Sequence, residues 1–261
     1  MTAGPEDHVS LRGATNFRSL GGLPTASGRR IRPHALMRAD RLSGLADEDW
    51  RALAQTGLAT VCDLRSEGER AEHPNAVPVA LGVREIRFDV RNDLRADASL
   101  LTLLAADPTA RGTERIMIEI YRRFPEHLGG TLSRIVDELL GGGAPLLVHC
   151  SAGKDRTGFV VAMLLHALEV PESAIRVDYL RSSQWPGAEE HRGFLERQLG
   201  VIVRPAELRA AVDAVLGVRE AYLDAALDAL AQQHGTVGRY LEQAAGLDSG
   251  RLEQLRERLL A

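Results

Sequence analysis

The sequence predicts an α/β protein with a mainly parallel central sheet flanked by helices and a helical C-terminal extension. Three observations carry this. Over the first two-thirds of the chain, short apolar, β-branched runs alternate with segments of helical spacing. One run, "APLLVHC" (144–150), is apolar throughout, as a strand covered on both faces must be. From about residue 187 onward the pattern is almost wholly helical.

The elements follow in order. "ADEDWRALAQTG" has an acidic first turn and Gly57 just past its last, which marks a helix. "GLATVCDLR" (57–65) turns abruptly from apolar to charged and reads as a buried strand ending at Asp63. "VREIRFDV" (83–90) alternates and predicts a second strand. "TERIMIEIYRRF" and "TLSRIVDELLGGG" have helical spacing, the latter stopped by its glycines. "RTGFVVAMLLHALEV" is apolar nearly all round, so it predicts a buried helix. Pro171 opens another, "PESAIRVDYLRSS". The Ala/Leu-rich remainder reads as amphipathic helices, and no internal repeat or low-complexity tract is visible.

Composition excludes several classes. The 261 residues suit a single domain over 1–261, and 44% apolar content is enough for a real core. A net charge of −4 argues against a bulk nucleic-acid binder. No apolar run is long enough to span a membrane, and the N-terminal stretch lacks the pattern of a signal peptide, so a cytoplasmic location is expected. Two cysteines, Cys62 and Cys150, do not make a disulfide framework. Among 32 Lys and Arg residues there is a single lysine, Lys154, and it lies in "LLVHCSAGKDRTGFVVAMLL" between a predicted strand and a predicted helix.

That stretch carries the chemistry. A strand entering a short loop that opens a helix gathers backbone N–H groups and the positive end of the helix dipole around one point, a nest for a phosphate-sized anion. The first loop residue is Cys150, and the field that binds phosphate also stabilises a thiolate nucleophile. Arg156, at the helix start, can grip two phosphate oxygens. Gly153 lets the loop turn, and the small Ser151 and Ala152 leave the nest open. The Thr157 hydroxyl is placed to donate to the sulfur in a second step. These parts suit in-line attack on phosphorus, with a carboxylic acid protonating the leaving oxygen. No metal and no cofactor is called for, and the histidines lack metal-ligand spacing. The loop is not a nucleotide-binding Gly-x4-Gly-Lys-Ser/Thr motif, because Asp155 follows Lys154.

"HCSAGKDRTG" resembles the active-site loop of the cysteine-dependent protein tyrosine phosphatase superfamily, and its Lys-Asp pair resembles the atypical bacterial branch. "NFRSLGG" (16–22), with Ser19 in place of an Asp, "LMRADRLSGLADEDWRALAQTGLATVCDLRSEGER" and "DYLRSS" fit the same branch. The match is weakest near 90–125. The resemblance implies the cysteine-phosphatase fold, a phosphorylated protein or phosphoinositide as substrate, and activity on phosphotyrosine, phosphoserine/threonine and phosphoinositides. It implies Asp155 as general acid and Lys154 as a group that handles a second phosphate. It also implies that helices at about 187–233 form a lid after the break at Trp185, and it admits export without a signal peptide.

Several readings stay open. Asp89 competes with Asp155 as the acid. Asp63 either orients Arg156 or caps the turn at "SEGER", with Arg65 beside it. His149 reads as a buried histidine that holds the loop. Lys154 either reaches a second phosphate or only balances Asp155 and Asp63. Cys62 is either a small core residue or a redox partner that forms a disulfide with an oxidised Cys150. Retention of Cys150, Asp155 and Arg156 together favours an active enzyme over an inactive phosphate-binding module. A sulfurtransferase loop also begins with Cys, but the residues flanking Cys150 favour phosphate.

Overall fold

The computed structural model describes residues 9–90 and 98–261. Its strands are β1 (Arg18–Ser19), β2 (Leu36–Ala39), β3 (Thr60–Asp63), β4 (Arg84–Arg87) and β5 (Leu146–His149). Its α-helices are α1 (Asp47–Gln55), α2 (Glu67–Glu72), α3 (Ala98–Ala106), α4 (Ala110–Arg122), α5 (Phe124–Leu140), α6 (Asp155–Ala167), α7 (Glu172–Arg181), α8 (Ala188–Leu199), α9 (Leu208–Leu216), α10 (Glu220–His234), α11 (Val237–Ala245) and α12 (Ser249–Leu259).

The sheet order is β1-β2-β5-β3-β4, with only the β1–β2 pair antiparallel. The mainly parallel sheet is the one the alternation predicts, and β3 ends at Asp63 as expected. All residues of β2, β3 and β5 are buried, which explains the apolar run that leads through β5. The pleat divides the core. Leu147, Met37 and Val61 face α1 with Trp50 and Leu53, while Leu146, Val148 and Leu36 pack into the larger cluster with α4, α5 and α6.

Four elements differ from the sequence expectation. β1 and β2 carry arginines in place of apolar periodicity, so the sequence pattern does not mark them as strands; Arg38 lies on β2, beside the centre strand, and is fully buried. The helix expected at 131 begins at Phe124, with Pro125 in its first turn. Gly129 and Gly130 mask that start. A Cβ on Gly129 would sit 3.2 Å from Ala244 Cβ, so its glycine lets α11 approach. The strand expected over 83–90 is shorter, at Arg84–Arg87.

The centre strand β5 delivers Cys150 to the carboxyl edge of the sheet. Ala39, His149 and Asp63 are in register there, so the loops after β2, β5 and β3 meet at one crevice. No helix among the described residues is long and apolar enough to cross a membrane.

Candidate active site

The loop from Cys150 to α6 is a nest because its carbonyls are held elsewhere. His149 Nδ1 donates to Cys150 O (3.1 Å), Arg41 N–H to Ser151 O (3.1 Å) and Asn16 Nδ2 to Ala152 O (2.8 Å). Arg38 donates to Gly153 O (2.7 Å) and Gly158 N–H to Lys154 O (2.9 Å). With these carbonyls turned outward, Gly153 N–H is free to donate to Cys150 Sγ at 3.3 Å. Gly153 has φ +67°, and a Cβ there would lie 2.3 Å from Ala39 O, so only glycine fits.

The donors behind the loop are themselves fixed. The Asp178 carboxylate accepts from Arg18 Nε and from Arg38, each at 2.6 Å. Ser182 and Asn16 complete the cluster. Burial alone would raise the Asp178 carboxyl; the charges of Arg38 and Arg18 outweigh it and hold the group below its ordinary range.

Glu69 is the partner of Arg156. The guanidinium donates to both its oxygens, at 2.7 and 2.6 Å, and Ser151 Oγ donates to Oε1 at 2.5 Å. Ser66 N–H donates to Oε2 through a capping box at the start of α2. Burial would raise the Glu69 carboxyl, but the Arg156 bonds and charge, with Ser151, hold it far below the usual carboxylate range. Glu69 and the carbonyls of Leu64 and Val90 take the outer end of the Arg156 fork. The Nε–H and one further N–H have no acceptor among the described residues, so one edge of the guanidinium is left over.

The residues that match a known family lie inside this geometry. The family model described as "Tyrosine phosphatase family" matches residues 9–261. The chain belongs to the tyrosine phosphatase family. It is 34% identical to the triple specificity protein phosphatase PtpB of Mycobacterium tuberculosis, covering 96% of this chain and 98% of that one. It is also 34% identical to a putative tyrosine-protein phosphatase of Cupriavidus necator, covering 95% of this chain and 86% of that one. Among solved structures, the core catalytic domain of the PP-IP phosphatase SIW14 from S. cerevisiae aligns with a TM-score of 0.36 and 13% identity, over 75% of this chain and all of that one.

Within this phosphatase, Asp155 opens α6 and borders the same cleft as Cys150. Tyr121 O–H donates to its Oδ1 (2.7 Å) and Lys154 Nζ to its Oδ2 (2.6 Å). Lys154 is buried, and its ammonium also donates to Val215 O (2.8 Å) at the end of α9. In this state the lysine is paired with Asp155. The cleft over Cys150 measures ≈ 230 Å³ and is walled by Met117, Ile120, Phe124, Trp185, Phe194 and Leu216.

The structure separates other candidates from the sulfur. Asp63 does not touch Arg156; it pairs with Arg65 at 2.7 Å, and the bonds and charge of Arg65 outweigh burial and lower its carboxyl. His149 is buried and neutral, its basicity lowered chiefly by burial. The Cys150 carbonyl can only accept, so Nδ1 carries the proton, and Nε2 accepts from Asn75 Nδ2 at 3.1 Å. Asp89 is exposed, accepts from Glu67 N–H at 3.1 Å and does not line the cleft. Thr157 Oγ1 is buried with no hydrogen-bond partner among the described residues, so its expected bond to sulfur is not formed in this state. Cys62 is opposite Val148 in the register, and both cysteines are free. One strand across and two residues along puts its backbone about 8 Å from that of Cys150, beyond the roughly 7 Å limit for a disulfide. Burial pushes the Cys62 thiol up to about 12.

Glu69, Asn16, Arg38, Asp178 and Tyr121 were not read as site residues from sequence. The Ser66-x-x-Glu69 pattern signals a capping box, but not a carboxylate that also reaches Arg156.

Proposed function

We propose that this chain hydrolyses phosphate monoesters through a phosphocysteine intermediate, with phosphotyrosine as a substrate and phosphoserine/threonine and phosphoinositides within its range. The observation that carries the reading is the nest itself. Gly153 N–H donates to Cys150 Sγ from a loop whose carbonyls are tied outward, and the edge of Arg156 away from Glu69 has no acceptor among the described residues. The breadth of substrate rests on the relative named as a triple specificity phosphatase.

In the first step Cys150 Sγ attacks phosphorus in line as the bond to the leaving oxygen breaks. Loop N–H groups and Arg156 stabilise the equatorial oxygens, and Asp155 gives its proton to the leaving oxygen. In the second step Asp155 takes a proton from water, water attacks phosphorus and the sulfur departs. The Thr157 hydroxyl, with no hydrogen-bond partner among the described residues, turns to the departing thiolate. No step calls for a metal or a cofactor. Asp155 serves as the acid rather than Asp89, because it borders the cleft. Lys154 reaches a second phosphate when its ammonium lets go of Asp155 and Val215. The helices over about 187–233 act as a lid, held here by that same lysine, and the apolar wall they add suits an aromatic leaving group.

The test is phosphate release from a phosphotyrosine peptide, a phosphothreonine peptide and soluble mono- and bis-phosphorylated phosphoinositides, with EDTA present. Cys150→Ser is expected to be silent on all of them, and Lys154→Ala to lose activity mainly on the bis-phosphorylated lipids. A wild type that releases nothing from any of them returns the site to an inactive phosphate-binding module.

A further inference from the structure

We propose that Tyr121, steered by Tyr179, is the positioning residue of the acid Asp155 and decides which carboxyl oxygen carries the proton. The proposal rests on the phosphatase reading above.

Three features carry it. Tyr121 is fully buried, and its hydroxyl donates to Asp155 Oδ1 at 2.7 Å. Tyr179 O–H donates to the Tyr121 oxygen at 2.9 Å. A hydroxyl has one proton, so accepting from Tyr179 leaves Tyr121 to spend its own on Asp155. The ring cannot swing away. Its centroid lies 4.6 Å from that of Phe124 and 5.6 Å from that of Tyr222, with Tyr179 edge-on at 6.3 Å. The Tyr222 hydroxyl does not compete, because it donates to Ala214 O at 2.9 Å. Burial first, and then the Asp155 charge, raises both the Tyr121 and Tyr179 hydroxyls, so they remain donors at working pH.

The last glycine of "HCSAGKDRTG" makes this chain of hydroxyls fit. A Cβ on Gly158 would lie 3.0 Å from the Tyr179 ring, so the absence of a side chain there lets Tyr179 lie against α6.

The consequence is a directed proton. With Oδ1 accepting from Tyr121, the acid form of Asp155 carries its proton on Oδ2. Lys154 holds Oδ2 in the state seen here, which is therefore the carboxylate arrangement. An ammonium and a carboxyl O–H are both donors, so in the acid form Lys154 withdraws to Val215 O, which it already holds. In the transfer the Oδ2–H bond breaks and an O–H bond forms on the leaving oxygen. The phosphorus–oxygen bond breaks as the Sγ–phosphorus bond forms. Asp155 is left as the carboxylate, and Lys154 returns to it.

A positioning role has a signature that a packing role lacks: its loss grows as the leaving group needs a proton more. The experiment measures kcat/KM for aryl phosphates from 2,4-dinitrophenyl to phenyl, using wild type, Tyr121→Phe, Tyr179→Phe and Asp155→Asn. Phenylalanine keeps both rings. Tyr121→Phe is expected to stay within about twofold of wild type on the dinitrophenyl ester and to lose roughly tenfold on the phenyl ester, a part of the 10²–10⁴ that a general acid supplies. Tyr179→Phe shows the same trend at smaller size, and it stands as the test if Tyr121→Phe does not fold. An equal loss on every ester, or none on any, overturns the role while leaving the phosphatase reading in place. A steep trend in Tyr121→Phe with none in Asp155→Asn overturns the assignment of the acid. A wild type inactive on every ester overturns the phosphatase reading and this role together.

Discussion

Replacing Glu69 with Gln tests whether the second carboxylate at the site serves Arg156 or obstructs it. Gln keeps the length of the side chain and one acceptor, but it removes the charge and faces the guanidinium with an amide donor. In the protein the pair is bidentate, at 2.6 and 2.7 Å, with side chains only 12% and 24% exposed. Hydrogen bonds to charged groups contribute about 1.5–3 kcal/mol each. Gln retains one of them, and partial exposure favours the lower end of that range. A loss of about 2 kcal/mol in transition-state stabilisation follows, roughly 30-fold in kcat/KM. The loss should fall on kcat as well as KM, because a loosened guanidinium misaligns the edge that meets the equatorial oxygens. The assay is steady-state turnover of a phosphotyrosine peptide at neutral pH, with a thermal melt to verify the fold. A folded Glu69→Gln protein with unchanged or higher kcat/KM would refute the reasoning and make Glu69 a competitor for the fork.

Asp178→Asn leaves Arg18 and Arg38 buried against a neutral group, and breaking such a pair costs about 3–5 kcal/mol, or about 10 °C in Tm for a chain of this size. The Asp178 carboxyl is depressed in the folded protein, so its contribution is in place above the unfolded value near 4 and is lost as pH falls through the lower folded value. The Tm gap between wild type and Asp178→Asn should therefore narrow in melts taken from pH 5 down to pH 3, and a constant gap would count against the ion pair. Gly153→Ala is expected to lose phosphate affinity and turnover by more than about tenfold, since it clashes with Ala39 O at a positive φ; full activity would mean that the loop tolerates another path. Mild peroxide should give sulfenic and then sulfinic Cys150 with Cys62 still reduced, as peptide mass spectrometry reads it; a Cys62–Cys150 crosslink would show that the sheet edge moves far enough to join them.

The strand–loop–helix around Cys150 was legible because each of its demands falls on adjacent residues: an apolar strand, small loop residues, and a buried helix begun by a charged pair. The strand beside it was less so. β2 contains Arg38, and an arginine inside a four-residue run reads as surface until its partners are known. Those partners, Asp178 and Gly153 O, lie more than a hundred residues away, and no local period announces them. Glu69 was hidden for a different reason. In "SEGER" it has the composition of a solvated turn, and half of its bonding is the local capping box such a turn would make. Its other half depends on α2 lying over Arg156, which is a fact of tertiary packing. Tyr121 sits in the stretch where the family pattern is weakest, inside a helix whose spacing is explained by core burial alone.

The scattered blocks of the family pattern have one physical cause. An anion nest works only if successive carbonyls point away from the ligand, and each then needs a buried donor of its own. "NFR" provides Asn16, which holds Ala152 O, and Arg18, which holds Asp178. "LMRADR" provides Arg38 for Gly153 O and the Arg41 N–H for Ser151 O. "DYLRSS" provides Asp178 and Ser182, which keep both arginines in place. The histidine before Cys150 holds the remaining carbonyl. A change in any of these blocks frees a carbonyl to turn inward against the phosphate. Under the proposed mechanism its cost is expected in phosphate binding and turnover, although none of these side chains lines the cleft over the sulfur.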